Sequence, residues 1–246
     1  MVKYKMKDVA ILMIVKFDSI DRLENTLVVM DHILKNFDTS LYVWEVGTFN
    51  DQILRTLVKE GINYEFHEDH DPILHRTRYL NEMVKSVKED YVAIWDADVI
   101  VPVEQVVQTV EALREGSEFV YPYKDYFYDT SFAIRNAFYK TRDLSLLKEY
   151  HSFMKEMYPP DPVGGVFFAN RQSYIDSGLE QELFYGWGAE DGERYHRWKE
   201  QNRRVQRIEG AIYHLSHSRG INSFISTDHD SITKRRLLFS TKKGIN

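Results

Sequence analysis

The chain has no cysteine. That excludes disulfide frameworks, thiolate metal sites and cysteine nucleophiles, and points to a reducing compartment. It also lacks any apolar run of the ~20 residues needed to span a bilayer. The opening MVKYKMKDVA reads as a strand with charged neighbours and offers no small-residue cleavage site, so the expected location is the cytoplasm. Positive charge is in short supply: 32 Lys and Arg against 38 Asp and Glu leave a net charge of −6, without the basic face that general nucleic-acid binding requires. One exception is local. Lys234, Arg235, Arg236, Lys242 and Lys243 cluster near the end, a pattern that suits a solvated terminal helix or peripheral contact with anionic lipid at a membrane face. There are only 6 prolines, no low-complexity linker and no internal repeat. With 43% hydrophobic residues over 246 positions, the chain can bury the core of one α/β domain spanning residues 1–246.

What is present is an alternation of apolar runs and amphipathic segments. Residues 9–15 read as a buried strand, 20–37 as a helix, 41–46 as a strand, 53–59 as a helix, 63–66 as a short strand, 77–88 as a helix and 91–95 as a strand. Such alternation predicts βαβ units and a mostly parallel sheet flanked by helices. Residues 121–162 turn aromatic and charged, with YPYKDYFYD followed by an apparent helix over 131–158. That region reads as an insertion whose tyrosines either stack on sugar faces or pack on the sheet. A helix over 192–202 and strands over 205–208 and 211–215 complete the reading.

Four short segments carry chemistry. The run YVAIW ends in Asp96 and Asp98, so a buried strand delivers two carboxylates to its end, where a hard divalent cation can be held; a polar strand-to-helix turn has the same composition. In VGGVFFAN, Gly164 and Gly165 allow close backbone approach to a ligand, or form a simple bulge. GWGAED puts Gly186, Trp187 and Gly188 beside Glu190 and Asp191, which suits a substrate-binding turn with a base as well as a carboxylate-rich helix start. HLSHSR offers His214 and His217, which can converge on one metal or serve as half-buried polar residues. By contrast His67, Glu68, Asp69, His70, Asp71 and His75 share no helical or strand face, and read as a solvated loop before Pro72.

Taken in order, an apolar strand ending in D-x-D, then G-G-V with aromatics, then W-G-x-E-D, then H-S-R resembles the β-1,4-galactosyltransferase family and its bacterial relatives, glycosyltransferases of the GT-A (Rossmann-like) nucleotide-sugar fold. The agreement runs from about residue 7 to Arg219. The resemblance implies a UDP-sugar donor, Mn²⁺ (or Mg²⁺) held by Asp98 and His217, and a further ligand at His214, where the family commonly has methionine. Imidazole in place of a thioether is expected to broaden tolerance toward other divalent ions. The resemblance also places Asp96 near the ribose and metal, makes Asp191 the general base, sets Glu190 against the acceptor sugar or neighbouring backbone, and lines the sugar pocket with Trp187, Gly188, Gly164 and Gly165. Arg76 stands at a nucleotide-binding arginine position and Glu45 where related folds place an acidic uridine contact; a solvated charge suits Glu45 equally.

This chain departs from the family pattern in four places. Gly192 follows Asp191 where the family's acidic run continues, and Leu74 stands where an aromatic would flank uracil. Pro162 and Val163 occupy the position that helps choose the donor sugar. IVKFDSIDR replaces the nucleotide-holding segment after the first strand, leaving Lys16 or Arg22 to meet the diphosphate. The implied activity is inverting transfer of galactose or a related hexose from UDP to a saccharide or lipid-linked oligosaccharide hydroxyl. Residues 1–120 would serve the nucleotide and 121–246 the acceptor, in bacterial surface-polysaccharide synthesis. A sugar nucleotidyltransferase would need a glycine-rich basic loop after the first strand, and IVKFDSIDR contains no glycine. A noncatalytic carbohydrate-binding protein would have no use for the D-x-D and H-x-x-H pairs.

Overall fold

Val9, Ala10, Ile11, Leu12 and Met13 are all wholly buried, as an unbroken apolar run must be in a strand covered on both faces. In the computed structural model, which describes residues 3–158 and 161–223 with positions 234 and 237, this run is the centre of β1 (Tyr4–Val15). The chain continues through α1 (Ile20–Asn36), β2 (Phe37–Gly47), α2 (Ile53–Leu57), β3 (Ile62–Glu68), α3 (Arg76–Ser86) and β4 (Tyr91–Trp95). Next come β5 (Val99–Ile100), α4 (Val103–Arg114), β6 (Phe119–Tyr121), β7 (Phe127–Asp129), α5 (Phe132–Thr141), α6 (Leu144–Glu149) and β8 (Lys155–Glu156). The last elements are β9 (Val166–Asn170), α7 (Arg171–Asp176), α8 (Glu190–Glu200), β10 (Val205–Arg207) and β11 (Ile212–His214).

A seven-stranded sheet has the order β10-β6-β9-β4-β1-β2-β3. β4, β1, β2 and β3 run parallel, as the strand–helix alternation requires. β9 enters antiparallel to both β4 and β6, which places the glycine pair that precedes it against the end of β4. A bond from Asp96 N to the Gly165 carbonyl at 2.9 Å fixes that contact. A second sheet, β5-β11-β7-β8, has strands of two or three residues, too short for any period-2 pattern to reveal them. It matters for function, because β5 pairs antiparallel with β11 so that Val99 faces His214.

Several boundaries differ from expectation. The segment 131–158 is not one helix: Arg142 adopts φ 55°, the Asp143 side chain caps α6 by accepting from Ser145 N, and the segment ends in β8. Local capping overrides the continuous periodicity there. α1 gives way directly to β2 at Phe37, and α8 begins at Glu190, two residues earlier than its pattern suggested. Of the aromatic run, Tyr121 and Tyr123 are core residues, wholly buried, whereas Tyr126 is exposed. Among the described residues no helix is long and apolar enough to cross a membrane. Apart from Lys234, whose ammonium donates to the Trp187 carbonyl, the basic cluster at 234–243 lies outside the described residues.

Candidate active site

A cavity of about 430 Å³ opens at the carboxyl ends of β1 and β4, where an open α/β sheet places its ligands. Asp96 and Asp98 reach it from the end of β4, Gly164 and Gly165 from the approach to β9, Trp187, Gly188, Glu190 and Asp191 from the start of α8, and His214 and His217 from β11 and the loop beyond. Arg76, Lys16, Arg22 and Leu74 also line it. Glu45 does not. It is buried on β2, where its carboxylate accepts from the Tyr64 hydroxyl at 2.7 Å and burial pushes its pKa up. The run from His67 to His75 does not assemble: His67 packs on Trp44 at 4.1 Å between ring centroids, Asp69 accepts from Arg78 and Tyr79, and Asp71 accepts from Tyr185.

Among the described residues, the one group of three or more potential metal ligands is Asp98, His214 and His217, with donor atoms all within 4.8 Å of one another. Asp98 Oδ2 lies 3.2 Å from His217 Nε2 and 3.7 Å from His214 Nε2, spacings that suit bonds of about 2.1 Å meeting at ~90–120°. Both rings are oriented by groups that can only accept. His214 Nδ1 donates to Asp129 Oδ1 at 2.7 Å and His217 Nδ1 to the Ser218 carbonyl at 2.8 Å, which turns both Nε2 atoms toward Asp98, the orientation that metal-binding histidines require. The charge balance has the same sense. Burial alone would depress the His214 pKa, but Asp98 and Asp129 more than offset it and raise it to about 9, so a bound cation takes the place of a proton that this environment already favours. Burial opposes ionisation of Asp98, yet the two histidines hold its carboxyl well below the usual carboxylate range. Two imidazoles and a carboxylate fit a borderline cation such as Mn²⁺, with coordination positions left for a ligand, better than Mg²⁺, which prefers an all-oxygen shell.

The neighbouring Asp96 has a different partner. Its Oδ1 accepts from Arg76 Nη2 at 2.6 Å, and burial, opposed by Arg76, raises its pKa. Arg76 Nη1 is left buried without a partner. Elsewhere in the cavity lining, Ala189 turns the chain into α8 with φ 76°, a left-handed conformation that a non-glycine residue holds only under constraint. Glu190 and Asp191 then occupy the first turn of α8, favourable for carboxylates. Asp191 Oδ1 accepts from Arg194 Nη2 at 2.6 Å. Its other oxygen lies against Gly164, where a Cβ would come within 2.8 Å. Gly165 has φ +83° and a Cβ there would meet the Phe127 ring at 2.9 Å, so neither position of the pair accommodates a side chain without displacement.

Glu190 Oε2 is buried with no hydrogen-bond partner. Burial, reinforced by Asp191, pushes its pKa from 4.5 to about 7. A carboxyl whose folded-state pKa is raised stabilises the fold below its unfolded pKa and loses that contribution as pH rises through the folded value. Glu190→Gln, which stays neutral, is therefore expected to gain on the wild type by ~2–3 kcal/mol between pH 5 and pH 8. Urea denaturation at the two pH values measures this; equal pH dependence of the two proteins would exclude the buried, strained carboxylate.

Sequence reasoning missed Asp129 and Arg194. Asp129 ends β7 as Asp96 follows β4, but the aromatic run around it hid a three-residue strand. Arg194 was detectable as the i+3 partner of Asp191 on a helix.

Residues 148–219 match the family model described as the N-terminal domain of galactosyltransferase. No curated protein sequence matches the chain. Among solved structures, glucosyl-3-phosphoglycerate synthase from Mycobacterium tuberculosis, in complex with Mn²⁺, UDP and phosphoglyceric acid, is similar with TM-score 0.56 at 16% identity, over 97% of this chain and 79% of that one. The catalytic domain of Drosophila β1,4-galactosyltransferase 7, in complex with xylobiose, gives TM-score 0.55 at 14% identity over 94% and 79%. A mannosyltransferase from Pyrobaculum calidifontis, with GDP-Man and Mn²⁺, gives 0.58 at 14% over 96% and 63%. The chain thus has the GT-A glycosyltransferase fold.

Proposed function

We propose that this protein is a metal-dependent inverting glycosyltransferase that moves galactose or a related hexose from a UDP-sugar to a saccharide hydroxyl. The observation that carries this reading is the meeting, in one cavity, of the Asp98, His214 and His217 cluster with a further carboxylate, Asp191. Asp98, His214 and His217 would hold a divalent cation, which would supply Lewis-acid neutralisation of charge on a diphosphate leaving group. Asp129 and the Ser218 carbonyl keep the two imidazoles turned toward it. Arg76, Lys16 and Arg22 add positive charge to the lining of the same cavity, with Asp96 beside the ribose.

Asp191 takes the proton of the acceptor hydroxyl while the hydroxyl oxygen bonds to the anomeric carbon from the face opposite the diphosphate. The bond to the diphosphate breaks and its electron pair leaves with UDP. No covalent enzyme intermediate forms, so an α-linked donor yields a β-linked product. A hydroxyl is a weak nucleophile near neutrality; base positioning contributes about 10²- to 10⁴-fold, and orientation by Glu190, Trp187, Gly188 and the Gly164–Gly165 pair contributes beyond it. Residues 1–120 bind the nucleotide and 121–246 the acceptor, a saccharide or lipid-linked oligosaccharide in bacterial surface-polysaccharide synthesis. The reaction would take place in the cytoplasm.

The test is UDP or GDP release from UDP-galactose, UDP-glucose and GDP-mannose, with Mn²⁺ or with EDTA. Turnover of a UDP-hexose that EDTA abolishes is expected. Preference for GDP-mannose would overturn the UDP assignment, and turnover indifferent to EDTA would overturn the metal dependence.

A further inference from the structure

Arg194 lies one turn beyond Asp191 on α8, with a side chain only 1% exposed. Its guanidinium is divided between two carboxylates. Nη2 donates to Asp191 Oδ1 at 2.6 Å, while Nη1 donates to both oxygens of Glu180 at 2.8 and 3.0 Å. Nη2 also reaches the Val163 carbonyl at 3.3 Å, immediately before the glycine pair. Glu180 is itself fully buried and accepts from the Tyr174 hydroxyl. Its backbone is clamped by Asn81 of α3, which accepts from Glu180 N at 2.8 Å and donates to the Glu180 carbonyl at 3.0 Å. The guanidinium carbon sits 4.1 Å from the centroid of the Phe167 ring. Core packing does not call for such a group: an apolar side chain of similar volume fills an interior at least as well as a buried ion pair.

We infer that Arg194 is a positioning residue for sugar transfer, pinning one oxygen of Asp191 so that the other is presented to the acceptor hydroxyl. The inference rests on the proposed base role of Asp191. The two oxygens have distinct surroundings: Oδ1 is engaged by the buried guanidinium, and Oδ2 faces Gly164 at the cavity wall. The terminal torsion of an unrestrained aspartate is broad, whereas a base must keep one oxygen within hydrogen-bond reach of the proton it removes. A planar guanidinium can serve Asp191 and Glu180 at once in fixed directions; an ammonium on a flexible stem cannot. Glu180, Tyr174 and Asn81 in turn hold the guanidinium, so the orientation of Asp191 is set by the core.

Arg194→Lys keeps a cation for Glu180 but loses the fork. Should it fail to fold, Arg194→Met combined with Glu180→Gln removes both buried charges together. Each is made in the wild-type and Asp191→Asn backgrounds, and thermal melting, Mn²⁺-dependent UDP affinity and UDP release from whichever of UDP-galactose and UDP-glucose the wild type turns over are measured. A kcat lower by about 10- to 100-fold is expected, with UDP affinity and donor KM within about 2-fold of wild type, and no further loss in the Asp191→Asn background. Unchanged kcat in a folded variant, UDP affinity falling in step with kcat, or a further loss on top of Asp191→Asn would each overturn the positioning role. An Asp191→Asn protein as active as wild type would overturn the base reading and this inference together; a slow Asp191→Asn with a fully active Arg194→Lys would overturn the inference alone.

Discussion

Asp191→Asn is expected to lower turnover on the order of 10²-fold or more while leaving Mn²⁺-dependent UDP binding close to wild type. Asparagine keeps the size of the side chain and one acceptor oxygen, so the bond from Arg194 Nη2 to Oδ1 at 2.6 Å has a counterpart in the variant. What asparagine cannot do is take a proton. A purely structural role in the first turn of α8 gives a different outcome, since the helix start favours either residue and activity would stay near normal. The measurement pairs initial rates of UDP release in the presence of acceptor with UDP titration in Mn²⁺. A folded Asp191→Asn protein with near wild-type transfer would dispose of the base role and turn attention to Glu190, whose Oε2 is buried and unpartnered in the same cavity.

Asp98→Ala is expected to abolish the Mn²⁺ dependence of UDP binding, with an affinity loss above ~10²-fold, since replacement even of outer-shell partners of metal ligands costs 10- to 100-fold. Asp98 is the one anion between the two imidazoles, with Oδ2 3.2 Å from His217 Nε2 and 3.7 Å from His214 Nε2. Without it, the two rings, 5.2 Å apart between centroids, have no carboxylate between them to complete the ligand set. His217→Ala should behave similarly. His214→Ala should weaken binding less or change which divalent ion is preferred. Calorimetric titration of UDP with and without Mn²⁺, on protein with an unaltered melting curve, decides the matter. Undiminished metal-dependent binding by Asp98→Ala would eliminate the cluster as the cation site.

The parts of this site that were readable in the sequence are those whose partners are near neighbours along the chain. Asp96 and Asp98 follow an apolar run that ends abruptly, and β4 is the strand that run predicts, residue for residue. Glu190 and Asp191 share a turn with a tryptophan and glycines. The start of α8 was read two residues late because no side chain caps it; Ala189 enters from a left-handed conformation, which no residue-type preference announces. Contacts made by long-range pairing were not readable. The β5–β11 ladder that sets Val99 opposite His214, and the bond from Asp129 that orients His214, depend on strands of two and three residues. The same holds for Glu45: its place at the end of the second strand was clear, but its hydrogen bond to Tyr64 comes from the register of β2 with β3.

The antiparallel insertion of β9 between β4 and β6 bears on how the protein can be assembled and rebuilt. A nascent chain released up to residue 120 would carry β4 with one side unpaired, because the strand that covers it, Val166–Asn170, has not yet been made. The exposed edge is apolar, with Val92, Ala93, Ile94 and Trp95 all buried in the finished fold, and such an edge invites intermolecular pairing. Folding of the first half therefore waits on a segment some seventy residues downstream, a separation that slows strand closure and exposes the intermediate to aggregation. For anyone exchanging acceptor specificity between relatives, a splice near residue 120 severs the sheet. Grafts bounded within the 122–165 stretch, or after residue 170, leave the β4–β9 seam intact.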